Sequence, residues 1–161
     1  MAKDFIPKDF VIPEKLETDK FFLRMLSVDD VELDYDAVMT SISHLQKTKP
    51  FGPNSNFPPK DLTIEEDCAS IKIHEKEIQN RDSFAFVVMN PAGTKSLGCV
   101  YIYPSVNHNY DAIVMMWVRQ SELTNNLDEV LFLSVKKWIQ EKWPFGKVAY
   151  PGRNNNWSEF I

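Results

Sequence analysis

The sequence predicts an α+β domain built on a mixed sheet, with the element order β-α-α-β-β-β-α-β and a short C-terminus. Two observations carry this. Apolar residues recur at three- and four-residue spacing in three segments, whereas residues 83–89 (SFAFVVM), 97–103 (LGCVYIY) and 112–119 (AIVMMWVR) are runs rich in β-branched and aromatic residues. The last helical segment lies between two strand candidates and is long enough to be a crossover, which makes that pair parallel. A chain of 161 residues with 43% hydrophobic and 25% charged residues has the size and composition of one globular domain.

Residues 1–20, with Pro7 and Pro13, read as an extended N-terminal arm that packs through Phe5, Phe10, Val11 and Ile12. Residues 21–26 (FFLRML) form the first strand, and Ser27 with Asp30 three residues later marks a helix start. Val31, Tyr35, Val38, Met39, Ile42 and Leu45 trace the stripe of one amphipathic helix that stops before Pro50. The loop 49–60, with Phe51 and Phe57 among prolines and asparagines, reads equally as a binding lid or an ordered surface loop. Thr63 and Glu66 have capping-box spacing, and Ile64, Cys68, Ile71, Glu75 and Ile78 mark the inner stripe of a second helix. Asn90-Pro91-Ala92-Gly93 turns the next two strands into a hairpin. A helix over 128–142 carries Leu127, Leu131, Val135, Trp138 and Ile139 inward and ends at Pro144 and Gly146; residues 147–150 (KVAY) are the last strand.

Several function classes are excluded at this level. With 18 basic against 23 acidic residues the net charge is −5, and a nucleic-acid binder would need a basic face. Two cysteines make neither a disulfide framework nor a four-cysteine metal site, and His44, His74 and His108 show no metal-ligand spacing, so no metal is expected. Cys68 and Cys99 read as packed thiols. No two of the five glycines stand closer than five residues apart, so every G-x-G phosphate loop is absent. No leader-like or membrane-spanning apolar run is visible, and a cytoplasmic protein with reduced thiols is the expectation.

The strand order, Phe22-Leu23-Arg24 opening the first strand, and Leu97-Gly98-Cys99-Val100-Tyr101-Ile102 as an x-G-x-h-x-h strand resemble the GNAT superfamily, the Gcn5-related N-acetyltransferases, along nearly the whole chain. Asn155-x-x-Ser158 resembles that family's Asn-x-x-Ser/Ala start of a last helix. The resemblance implies a sheet that splays beside the 112–118 strand, acetyl-CoA as co-substrate in the splay, and an amine acceptor approaching from the other side. It also meets a departure. The family's R/Q-x-x-G-x-G/A loop falls here on Leu123-Thr124-Asn125-Asn126-Leu127-Asp128, with no glycine, and Asp128 and Glu129 occupy the first helical turn with Asn126 as N-cap. Two carboxylates beside a pyrophosphate repel it by about 1 kcal/mol per pair at water-like screening.

Carried over residue by residue, the resemblance makes Met116, Trp117 and Val118 the pantetheine wall, and Arg119, Thr124, Asn125, Asn126 and Asn155 further CoA contacts. Arg153 reads as a phosphate contact or as the partner of an acidic surface. Amine acetylation needs a base and a donor for the departing thiolate; Glu122 is the candidate base and Tyr150 the candidate donor, with His108 and Asp111 at the acceptor entrance. Glu122, His108 and Asp111 also read, each taken singly, as solvated loop residues. Tyr101 and Tyr103 share one face of their strand and are assigned to the core. The leading expectation is an N-acetyltransferase acting on a small amine by direct attack, with a homodimer completing the acceptor site; the alternative is a non-catalytic GNAT-fold module that binds a ligand or partner and has lost CoA.

Overall fold

Six strands line up in chain order, β1 (Lys15–Glu17), β2 (Phe22–Met25), β3 (Phe84–Met89), β4 (Ser96–Pro104), β5 (Ala112–Val118) and β6 (Val148–Ala149), in a computed structural model that describes residues 4–161. All neighbours are antiparallel except β5 and β6, which are parallel because α4 (Leu127–Lys142) crosses over between them. The mixed sheet and the parallel last pair match the reading from sequence. β1 is an additional strand within the arm expected over 1–20; the first three residues of that arm lie outside the described residues.

Side chains alternate across the central strands, and both faces are covered. Phe84, Phe86, Val88, Val100, Ile102, Val114 and Met116 point to one face, where Leu131, Val135, Trp138 and Ile139 of α4 pack. Ala85, Val87, Met89, Cys99, Tyr101 and Trp117 point to the other, against α1 (Val31–Met39), α2 (Ile42–Thr48) and α3 (Ile64–Gln79). This double burial is why β3 reads as an unbroken apolar run. Gly98 sits at φ +154 with the Trp117 carbonyl where a Cβ would go, so only glycine lets β4 approach β5 there.

The single helix expected from Val31 to Leu45 is two. α1 ends at Met39 because Thr40 Oγ1 donates to the carbonyls of Asp36 at 2.7 Å and Ala37 at 3.3 Å, which draws the chain out of helical course. Ser41 turns its hydroxyl to accept from Gln120 N at 2.9 Å, and α2 then starts at Ile42. The inner face of α3 is also rotated from the expected stripe: Asp67 and Ile71 are buried, while Cys68 is half-buried. The Thr63–Glu66 capping box forms as expected.

Candidate active site

β5 keeps a partner on its β6 side over two residues only, Ala112 opposite Val148 and Ile113 opposite Ala149. Past Ile113 the strands part. The Met116 carbonyl faces that gap, where it accepts from Arg153 Nη2 at 3.3 Å. A cavity of about 380 Å³ fills the opening, walled by residues 116–118 of β5, by His44 and Lys49 from α2 and its end, by Leu123 and Asp128, and by Gly152, Arg153 and Trp157. The splay expected beside this strand is therefore present, and Met116, Trp117 and Val118 line it.

The start of α4 reaches the cavity through Asp128. Asn126, at φ 58, turns the 3₁₀ stretch Gln120–Asn125 into the helix, whose first-turn N–H groups have no intrahelical acceptors. Asn126 holds the N-cap position but does not cap with its side chain; its amide donates to Glu129 Oε2 at 3.2 Å instead, because the left-handed backbone turns that side chain away from its own helix amides. Asp128 is paired: Arg153 grips it with both terminal nitrogens, at 2.8 and 2.9 Å. Of the two alternatives for Arg153, the acidic partner is the one seen.

Trp157 closes one side. Its indole lies between two glycines of separate segments, Gly52 at φ +104 and Gly152 at φ +81; a Cβ on either would stand 3.1 and 2.9 Å from the ring. The 49–60 loop is thus drawn onto the turn after β6. Its aromatic rings also pack inward, Phe51 edge-on to Tyr101 at 5.0 Å and Phe57 against Trp117 at 6.1 Å.

The other sequence candidates fall at distinct places. Arg119 is buried and spent on structure: Nη1 donates to the Ser96 carbonyl at 2.9 Å, and Nη2 to Asp36 Oδ2 at 3.1 Å and Thr40 Oγ1 at 3.0 Å. Glu122 accepts from Asn125 Nδ2 at 3.0 Å within the 3₁₀ turn, and Thr124 is exposed beside it. Asn155 braces the turn after β6, accepting from Tyr150 N at 2.8 Å and donating to Tyr110 Oη at 3.0 Å. Tyr150 packs edge-on to Phe132 in the α4-side core, and burial pushes its phenol up to about 12. Asp111 receives the N–H groups of Gly146 and Lys147 at 2.8 and 2.9 Å, and with His108 it lines a separate depression beside Phe145. That depression is at the start of β5, roughly 16 Å along the strand from Met116 at the usual rise per residue.

A second polar group, unread in the sequence, lies beneath the aromatic wall. Asp34 of α1 and Asp67 of α3 interact in the core; Cys99 Sγ donates to Asp34 Oδ1 at 3.4 Å, and Asp67 Oδ2 is buried without a hydrogen-bond partner. Burial, then each other's presence, raises the Asp34 carboxyl well above its usual range, and burial raises that of Asp67. Burial likewise raises Cys99, consistent with an inert thiol. His74 stands beside Tyr101 at 5.4 Å, and burial lowers its proton affinity. Among the described residues, no three His, Cys, Asp or Glu side chains form a group that could hold a metal, and no helix is long and apolar enough to cross a membrane.

His44 and Lys49 were missed as site residues, and no local signal marks them. They enter the cavity only because α2 folds over the open end of β5.

No family model matches the chain, and no curated protein does. Solved structures do. The ribosomal L7/L12 alpha-N-protein acetyltransferase RimL, solved in complex with coenzyme A, superposes with a TM-score of 0.60 at 12% identity, over 76% of this chain and 64% of RimL. The ribosomal-protein-S5-alanine acetyltransferase from Vibrio fischeri gives 0.56 at 15% identity, over 79% of this chain and 67% of its own. The microcin C7 self-immunity acetyltransferase MccE, in complex with acetyl-CoA and AMP, gives 0.52 at 17% identity, over 77% and 63%. This chain thus spans less than two thirds of RimL. Together with the sheet order and the splay at β5, these superpositions establish that the chain has the fold of the GNAT acetyltransferases.

Proposed function

We propose that the protein transfers an acyl group from an acyl-CoA thioester, acetyl-CoA being the simplest, to a small amine. The observation that carries this reading is the free edge of β5 beyond Ile113, opening on the cavity at the first turn of α4. An extended amide-bearing arm can add to such an edge as a strand does, and first-turn N–H groups attract an anion. The thioester, when bound, supplies the activated acyl carbon; the amine nitrogen bonds to it, the C–S bond breaks, and the thiolate leaves with a proton. Backbone groups of Met116, Trp117 and Val118 would orient the arm.

The proton lost by the ammonium needs an acceptor. His44 is proposed for this task, since an imidazole nitrogen can take a proton as a general base and it lines the same cavity as the β5 edge. Glu122 is the alternative base. A non-catalytic ligand-binding module is the second reading, favoured by the Arg153–Asp128 pair that already occupies part of the cavity.

Thermal unfolding with acetyl-CoA tests the first reading. At 100 times the Kd the folded state gains about 2.7 kcal/mol, a rise of several degrees. Amine-dependent thiol release should follow, and His44→Gln should lower kcat by about a hundredfold with the acetyl-CoA shift retained. No shift at millimolar acetyl-CoA removes the transferase reading in favour of the second. Unchanged kcat in His44→Gln passes the role of base to Glu122, which Glu122→Gln then probes.

A further inference from the structure

The acyl-CoA reading leaves unexplained why a guanidinium lies across the strand edge that the ligand needs. Arg153 Nη2 stands 3.3 Å from the Met116 carbonyl, inside the splay, where an arm binding along β5 would place its own N–H. Further contacts hold the residue. Asp128 binds it through two parallel hydrogen bonds, the Phe132 ring lies under it with 5.3 Å from the guanidinium carbon to the ring centroid, and its backbone N–H donates to the Tyr150 carbonyl at 3.0 Å. Its side chain is 21% exposed, that of Asp128 42%, so the carboxylate is the wetter partner. Asp128 also belongs to the turn of α4 where an anion would dock.

An uncharged arm entering this cavity must remove Arg153 from Met116 and offers the guanidinium only neutral acceptors in exchange. An arm that carries phosphate offers a bidentate anion within the same fork geometry. Resting on the acyl-CoA reading, we infer that Arg153 is a swinging phosphate anchor. Asp128 parks it on the Met116 carbonyl; with CoA bound it exchanges both for a phosphate oxygen pair, freeing the β5 edge. The chain thereby replaces the missing glycine loop with a side chain and makes the site selective for phosphorylated pantetheine carriers over pantetheine itself. Asp128, which as a bare carboxylate opposes phosphate, serves as the holding partner. The other permanent cation lining the cavity, Lys49, is turned to the loop side, where its Nζ donates to the Ser55 carbonyl at 3.0 Å.

Titration calorimetry of the full chain with CoA and with phosphate-free pantetheine tests this, in wild type, Arg153→Gln and Asp128→Asn. Wild type should bind CoA at least about tenfold more tightly than pantetheine. Arg153→Gln should weaken CoA by about tenfold and tighten pantetheine by a fewfold, a reversal of sign that general damage to the site cannot produce. Asp128→Asn should tighten CoA, because the anchor is no longer held and a repelling charge is gone. If Arg153→Gln proves unfolded by circular dichroism, Asp128→Asn still decides: weaker or unchanged CoA binding overturns the inference. So does an Arg153→Gln that shifts both ligands in the same direction, and in either case wild-type CoA binding leaves the acyl-CoA reading standing. Wild type that binds neither ligand overturns that reading and the inference with it.

Discussion

Asp34 and Asp67 are the residues whose chemistry departs furthest from their usual behaviour. They meet in the core, with Asp30 beyond α1's start, His74 on α3 and Cys99 on β4 as the other titratable groups around them. Burial comes first among the causes that raise both carboxyls, and for Asp34 the neighbouring Asp67 adds to it. A raised carboxyl holds its proton more tightly folded than unfolded. Its contribution is complete below the usual carboxylate range and is lost as pH rises toward the folded value. Stability to urea should therefore fall as pH rises above the usual carboxylate range, and Asp34→Asn, which keeps the shape without the charge, should flatten that slope. Equal slopes in variant and wild type would show that Asp34 does not hold its proton above the usual carboxylate range. This pair was illegible in the sequence: Asp34 and Asp67 each look like ordinary helix-surface acids, and α3 shows its inner face only once it docks.

Between elements, Arg119 does what the sequence did not foretell. Read as a phosphate contact at the end of β5, it instead ties that end to α1 and to the start of β4 through Asp36, Thr40 and the Ser96 carbonyl. Arg119→Met should leave that buried carbonyl unpaired and cost about 2–3 kcal/mol in urea unfolding, with CoA affinity nearly unchanged. A tenfold loss of CoA affinity at unaltered stability would restore the phosphate role. The break between α1 and α2 belongs to the same node, since Thr40 both ends α1 and accepts from Arg119. A stripe of apolar residues running through Leu45 conceals that break, because α1 and α2 bury the same kind of face. Legible beforehand were the elements with strong local signals: the capping box at Thr63, the hairpin turn after Asn90, and the inner stripe of α4.

Across the whole molecule, Trp157 joins the 49–60 loop to the turn after β6, with Gly52 and Gly152 clearing room for its ring. Trp157→Ala should destabilise the closed arrangement by about 2 kcal/mol. Amides of residues 50–57 should then exchange at least about tenfold faster, while those of β3 and β4 hold their protection. Uniformly faster exchange would mean that the tryptophan supports the entire core and not this closure.

The sequence by itself determined the α+β class, the mixed sheet and the crossover that makes β5 and β6 parallel, because those follow from periodicity and turn chemistry within short windows. The family resemblance also marked residues 116–118 as the wall of a cavity, and the sequence the absence of a glycine loop at α4. Tertiary structure alone decided which charges meet. Arg153 and Asp128 lie 25 residues apart and join only across the splay; Cys99 and Asp34, separated by 65, share a buried hydrogen bond only where α1 packs on β4. His44 reaches the cavity only by way of the break at Thr40. Pairings of this kind depend on the packing of whole elements, and side-chain spacing along one element carries no record of what lies opposite it.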